Sequence, residues 1–279
     1  MSTEILPVEP VQPEPAQSET VEARKPRRRG WIIAVIIVAI VVVLGIVAFV
    51  VAEALAKDYA RGYVRDRIVE VLNLPDDAAV DVDLGGGSII LQALAGRVDQ
   101  VDVDVPEVAF GELSGAVRLY AEGVPLDEMQ PVDVLGVDFA IGADDLGALG
   151  QGAGAEGAPT FEFAEGEVLL SSEFSLFGAT IPLSLSLEPS AADGDLVLTP
   201  TSITLGDETI ESGDDDSFFG QLLSGLFQPQ NLCIAASVPE ALVLTDATID
   251  DAELVLGFTG DGAAFGGPEL STPGTCPEG

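Results

Sequence analysis

Gly30 to Ala52 restricts this chain more than any other feature, because it holds 23 consecutive uncharged residues dominated by Ile, Val and Ala. As a helix the run spans roughly 34 Å against a hydrocarbon core of about 30 Å, enough to cross a bilayer once. Arg24, Lys25, Arg27, Arg28 and Arg29 stand immediately before it, and Trp31 lies at its head, where an amphipathic indole favours the interface. The positive-inside rule then puts the N-terminus in the cytoplasm and everything after Ala52 outside it. A buried core helix seldom carries so long a run without one polar residue. A cleaved signal peptide is the closer rival, since Ala52-Glu53-Ala54 and Ala54-Leu55-Ala56 both offer small residues at cleavage spacing. Its apolar region normally runs about 7 to 15 residues, so the length favours a retained anchor.

Charge divides the chain at the same place. The whole sequence holds 47 acidic and 11 basic side chains, a net charge of −36. Before the run the five basic groups are balanced by Glu4, Glu9, Glu14, Glu19 and Glu22, so the imbalance lies entirely beyond it. Residues 1–29, rich in Pro and Glu, read as a disordered cytoplasmic tail. After the run Lys57, Arg61, Arg65, Arg67, Arg97 and Arg118 are the only cations. Such a surface repels a phosphate backbone and excludes nucleic acid as a partner. It keeps an exported domain soluble and is compatible with high salt or divalent cations outside the cell.

From Glu53 to Leu74 the residues Leu55, Tyr59, Tyr63, Ile68, Val71 and Leu72 recur at helical spacing, which predicts an amphipathic helix leaving the membrane and ending at Pro75. Lys57, Arg61 and Arg65 form one stripe on it, suited either to outer-leaflet phosphates or to a solvated face paired with nearby acids. Val80 to Leu84 and Val98 to Val105 then alternate apolar and acidic residues, the period of a strand with one wet face. Similar runs cover 116–124, 132–141, 167–177, 180–188, 195–199, 202–205, 242–249 and 253–259. This meander with few helices predicts an antiparallel sheet in an α+β domain. Ile89 to Ala95, Asp144 to Leu149 and Ser217 to Phe227 read as short helices, and Gly150 to Pro159 as a linking loop.

Catalytic signatures are missing. With no histidine there is no His-based triad and no His-ligated zinc. No GxSxG elbow occurs, and the one lysine after the apolar run lies in the membrane-proximal helix. Gly85-Gly86-Gly87-Ser88 lacks the Lys-[Ser/Thr] of a phosphate-binding loop and reads as a tight bend. The acidic stretch Glu211 to Asp216 lacks the EF-hand order and reads as a solvated loop, so no metal and no cofactor are expected. Cys233 and Cys276 are both exported on this topology, where a disulfide persists; two free thiols are the alternative.

The order of segments resembles a family. Leu91-Gln92-Ala93-Leu94-Ala95-Gly96-Arg97 with the alternating run to Val105, then Val117 to Pro125, are similar to the first half of the LmeA-like phospholipid-binding proteins of actinobacterial envelopes. Gly194 to Pro200, Leu232-Cys233 to Pro239 and the strands around Asp246 to Gly260 resemble the second half, so the likeness spans roughly residues 57–260. The resemblance implies a tubular lipid-binding fold, in which a curved antiparallel sheet wraps a long helix and leaves an apolar groove for acyl chains. It also implies binding of phospholipid without catalysis, in support of envelope lipid or glycolipid homeostasis. A retained anchor departs from a freely shuttling, cleaved form.

The division expected is a tail at 1–29, a membrane span at 30–52, an exported lipid-binding domain at 53–265 and a flexible C-terminal tail at 266–279. Candidate lining residues are Tyr59, Tyr63, Ile68, Ile90, Leu91, Leu94, Phe218, Phe219, Leu222 and Phe227, with ordinary core packing as the competing role. Lys57, Arg61 and Arg65 are the candidates for headgroup contact. The rival function is an anchored domain that scaffolds envelope enzymes or wall polymers and has a solid core.

Overall fold

The computed structural model describes residues 28–72, 74–110, 113–146, 159–176, 179–206, 208–213 and 224–277. The chain divides into two compact units, Met1–Val50 and Val51–Gly279. The expected disordered tail, up to residue 27, lies outside the described residues, as does most of the 150–159 loop.

Helix α1 runs without a break over Arg28–Val71, 44 residues. Its Ile- and Val-rich first half is a modest helix former in water, and a helix is the one single-segment state that satisfies every backbone group internally. In the first unit Val35 to Val50 present their large apolar side chains outward, and no part of this apolar stretch is buried. Among the described residues α1 is the one helix long and apolar enough to cross a membrane.

In the second unit α1 changes character. Ala56, Ala60, Val64, Ile68 and Leu72, four residues apart, pack against a cluster of Leu84, Ile89, Val101, Val103, Val105 and Val108. The expected apolar face is corrected here: Ile68 and Leu72 do turn inward, whereas Leu55, Tyr59, Tyr63 and Val71 stand exposed. Two alanines at the start of the buried stripe let the helix approach the strands more closely than Leu or Tyr would, and close packing rewards that approach.

Among the described residues twelve strands follow: β1 (Asp81–Asp83), β2 (Arg97–Phe110), β3 (Leu113–Pro125), β4 (Val134–Gly142), β5 (Thr160–Ala164), β6 (Glu167–Leu176), β7 (Ala179–Ala192), β8 (Asp195–Leu205), β9 (Glu208–Glu211), β10 (Gln230–Leu232), β11 (Val243–Asp250) and β12 (Glu253–Thr259). A short helix, α2 (Ile89–Ala95), lies between β1 and β2, as its sequence predicts. The strands form two six-stranded sheets, ordered β1-β2-β3-β4-β12-β11 and β10-β8-β7-β6-β5, with β9 pairing to β8. The class is α+β with antiparallel pairing throughout; the single sheet expected from the meander is two.

In β2 the alternation works as read: Val101, Val103 and Val105 are buried while Asp104 faces water. A bulge between Val105 and Val108 then inserts one extra residue and returns Val108 to the same face, a reset that no strict period of two contains. The expected strands 195–199 and 202–205 are one strand, β8, carried across Pro200 by a register shift opposite Ser186 and Leu187. Strands β5, β9 and β10 were not expected: β9 and β10 are too short to show a pattern of their own, whereas Thr160–Ala164 does alternate, with Phe161 and Phe163 half-buried between exposed neighbours. The predicted helix at 144–149 is seen as a turn of helix over 143–146, its remainder lying outside the described residues.

Leu196 of β8 packs with Leu244, Ala247, Leu254, Leu256, Phe258 and Ile141, so a shared core joins the two sheets. The C-terminal segment is fastened rather than loose. The Glu240 and Gly274 amides donate to the carbonyls of Thr272 and Val238 at 2.8 and 3.0 Å. Cys233 and Cys276 are disulfide-bonded, with their Cα atoms 5.8 Å apart.

Candidate lipid-binding surface

Two parts of the second unit carry apolar side chains that are only partly taken up by its core. The first is α2, whose position is fixed by polar contacts at three points. Glu53 accepts hydrogen bonds from the Ser88 hydroxyl at 2.6 Å and from the Ile89 and Ile90 amides at 2.5 and 3.4 Å. The Ser88 bond, with those amides and the nearby Lys57 charge, holds the Glu53 carboxyl below its usual range against partial desolvation. Ser88 is also the N-cap, accepting from the Leu91 amide at 3.3 Å. Buried Gln92 donates to the Gly86 carbonyl and accepts from the Asp99 amide at 2.9 Å. Gly96 ends the helix in the left-handed region at φ 80°, and its carbonyl accepts from the Leu126 amide at 3.0 Å. The triple glycine is the bend expected, with Gly85 and Gly87 at φ 66° and 110°.

The second is the apolar face of the β5–β9 sheet. The pairings Phe161 with Leu170, Leu170 with Leu185, Leu185 with Ile203 and Ile203 with Ile210 make one unbroken apolar row across five strands. Ile203 and Ile210 are buried; Phe161, Leu170 and Leu185 are half-buried. On the opposite face Ser171 and Ser184 pair hydroxyl to hydroxyl at 3.0 Å, as do Ser186 and Ser202 at 3.1 Å. The apolar row is therefore one-sided, in the manner of a sheet with one wet face.

Between α1 and the first sheet the contact is packed. Two open clefts mix charged and apolar lining: one of about 730 Å³ is bordered by Asp104, Arg118, Asp138 and Glu253 together with Val80, Val105, Val117 and Val255, and one of about 500 Å³ by Arg65, Asp66, Glu70 and Asp76 together with Val69 and Leu74. In the larger cleft burial pushes the Asp138 carboxyl up, Arg118 opposing and Asp246 reinforcing the shift. No group of three or more His, Cys, Asp or Glu suited to a metal ion occurs among the described residues.

The residues singled out from sequence are dispersed over this frame. Ile68 is part of the α1 packing stripe and Ile90 is half-buried on α2. Tyr59 and Tyr63 are exposed, Tyr63 donating to Glu128 at 3.4 Å, and Leu91 and Leu94 are exposed on α2. Phe218, Phe219 and Leu222 lie outside the described residues; Phe227 is half-buried in the single 3-10 turn Ser224–Phe227 that ends the helix expected over 217–227. Arg61 lies 3.8 and 3.9 Å from Asp58 and Asp83. Arg65 donates to the carbonyls of Asp76 and Ala78 at 2.8 and 3.2 Å, holding the turn after α1. The stripe of cations thus contains two residues engaged by the domain's own acceptors, the paired-face alternative of the sequence reading. Sequence reasoning missed Glu53 as a clamp and the row from Phe161 to Ile210. The row exists only once register is known, although three of its members sit in strands the alternation found.

A family model described as LmeA-like phospholipid-binding matches residues 51–259. No curated protein and no solved structure matches the chain. The match spans α2, both sheets and the last strand pair, so the apolar faces just described lie within it. The chain belongs to the LmeA-like phospholipid-binding family.

Proposed function

We propose that this is a membrane-anchored envelope protein whose Val51–Gly279 unit binds phospholipid without catalysis. The family match over residues 51–259 carries this reading. On it, Gly30 to Ala52 crosses the membrane, the arginine-rich flank faces the cytoplasm, and the domain at 53–265 works outside, in support of envelope lipid or glycolipid homeostasis. The half-buried Phe161, Leu170 and Leu185 supply an apolar bed for acyl chains next to buried Ile203. The exposed Tyr59, Tyr63, Leu91 and Leu94 are further apolar groups on α1 and α2, and Lys57 offers a charge for a headgroup phosphate.

Native mass spectrometry of the full chain, purified from its host in mild detergent, tests the reading. The intact protein should carry glycerophospholipid masses, and Leu185→Asp should remain folded and empty. A folded wild-type protein that never carries lipid sinks the proposal. The packed contact between α1 and the first sheet favours a second reading, an anchored scaffold for envelope enzymes or wall polymers. That reading expects cross-linked protein or polymer partners and no lipid mass.

A further inference from the structure

Helix α2 is an oddity on so acidic a chain. Its seven residues, Ile-Ile-Leu-Gln-Ala-Leu-Ala, contain no charge. Ile89 and Gln92 face inward, while Leu91 and Leu94 are 59 % and 81 % exposed. Leu126, 54 % exposed, lies next to the end of the helix, its amide donating to the carbonyl of Gly96, the residue that caps it. A leucine held so far into water by a rigid frame gains nothing from folding.

The covalent chain says what lies beside it. Glu53, which clamps Ser88, Ile89 and Ile90, directly follows Ala52, the last residue of the uncharged run. Helix α2 is thereby fastened at the point where the chain leaves that run. A lipid interface accepts uncharged leucines and rejects the acids that cover the rest of the domain.

We infer that α2 is seated in the bilayer interface, with Leu91, Leu94 and Leu126 inserted at headgroup depth beside the exit of the anchor. The inference rests on the reading that Gly30 to Ala52 spans the membrane. It assigns α2 a function separate from lipid carriage: a second contact of the Val51–Gly279 unit with the lipid surface.

Single cysteines at Leu94, Leu126, Glu211 and Val43 in the full chain, each labelled with an environment-sensitive fluorophore in phosphatidylglycerol and phosphatidylethanolamine vesicles, decide it. The native cysteines are paired and do not compete for label. Leu94→Cys and Leu126→Cys should emit at shorter wavelength and be quenched several-fold more by shallow nitroxide lipids than Glu211→Cys. Water-like emission at Leu94 and Leu126, with Val43→Cys quenched by deep nitroxides, overturns the seating of α2 and leaves the anchor intact. An unquenched Val43→Cys overturns the anchor reading and this inference together. Equal quenching at Glu211 also overturns it, because the whole domain would then lie on the lipid.

Discussion

The two sheets bury their apolar faces to different degrees. The first sheet is finished by α1: Val101, Val103, Val105 and Val108 meet the stripe from Ala56 to Leu72, and Val103, Val105 and Val108 are almost completely buried. On the second sheet Phe161, Leu170 and Leu185 of the cross-strand row are half-covered. On the proposed function, the difference separates residues that hold the fold from residues that a lipid would lie upon. Deleting atoms from a filled core removes contacts and leaves a void, whereas changing a half-covered face alters mainly what can lie upon it.

The largest expected effect is on the link that serves both sheets. Cys233 follows β10 of the second sheet, and Cys276 lies in the C-terminal segment bonded near Val238 and Glu240. Closing that loop stabilises the domain by about 4 kcal/mol on the chain-entropy account. Cys276→Ser should lower the melting temperature without abolishing the fold, and alkylation of the unreduced native protein should label neither cysteine. Free thiols in protein taken directly from the intact envelope would contradict the exported topology.

Substitutions on either sheet should then differ in kind. Leu84→Ala, under α1, is expected to cost about 3 kcal/mol in urea unfolding and leave the lipid load per folded molecule unchanged. Leu185→Asp should also cost stability, because it sets an unpaired charge between Leu170 and Ile203, but the molecules that stay folded should carry no lipid. Equal loss of lipid in both variants would mean that the division between the sheets is false.

The smallest effect concerns the α2 clamp. Hydrogen bonds from Ser88, Ile89 and Ile90 keep Glu53 charged, so its carboxyl titrates lower folded than unfolded. The stabilisation is therefore complete above the ordinary value of 4.5 and is lost as pH falls through the lower folded value. Protection of the Ile89 and Ile90 amides, taken relative to the intrinsic exchange rate at each pH, should fall across that acid window in wild type and be low at every pH in Glu53→Gln. A protection factor in wild type that does not change with pH would remove the clamp.

Local pattern sufficed for much of this. The unbroken run from Gly30 to Ala52, the helix at Ile89 to Ala95 and the alternation of β2 are properties of neighbouring residues, and each was legible. The inner face of α1 was not, because a helix with large apolar groups on one side and alanines on the other offers two stripes. Which one is buried depends on how closely a sheet distant in sequence approaches. The lining candidates Tyr59, Tyr63, Leu91 and Leu94 share with Ile68 an apolar character, and only packing separated the exposed ones from the buried one.

By itself the sequence determined the apolar helix, the antiparallel class, the acidic exterior and the pair of cysteines, since hydrophobic period, charge and composition act over a few residues or over the whole chain. Tertiary structure alone decided that there are two sheets, that Val108 returns to the core across a bulge, and that Phe161, Leu170, Leu185, Ile203 and Ile210 line up. It also brought Glu53 to the start of α2 across 35 residues of chain. These are matters of register and long-range contact, where a shift of one residue turns every side chain to the other face, and no local pattern of residues encodes which register wins.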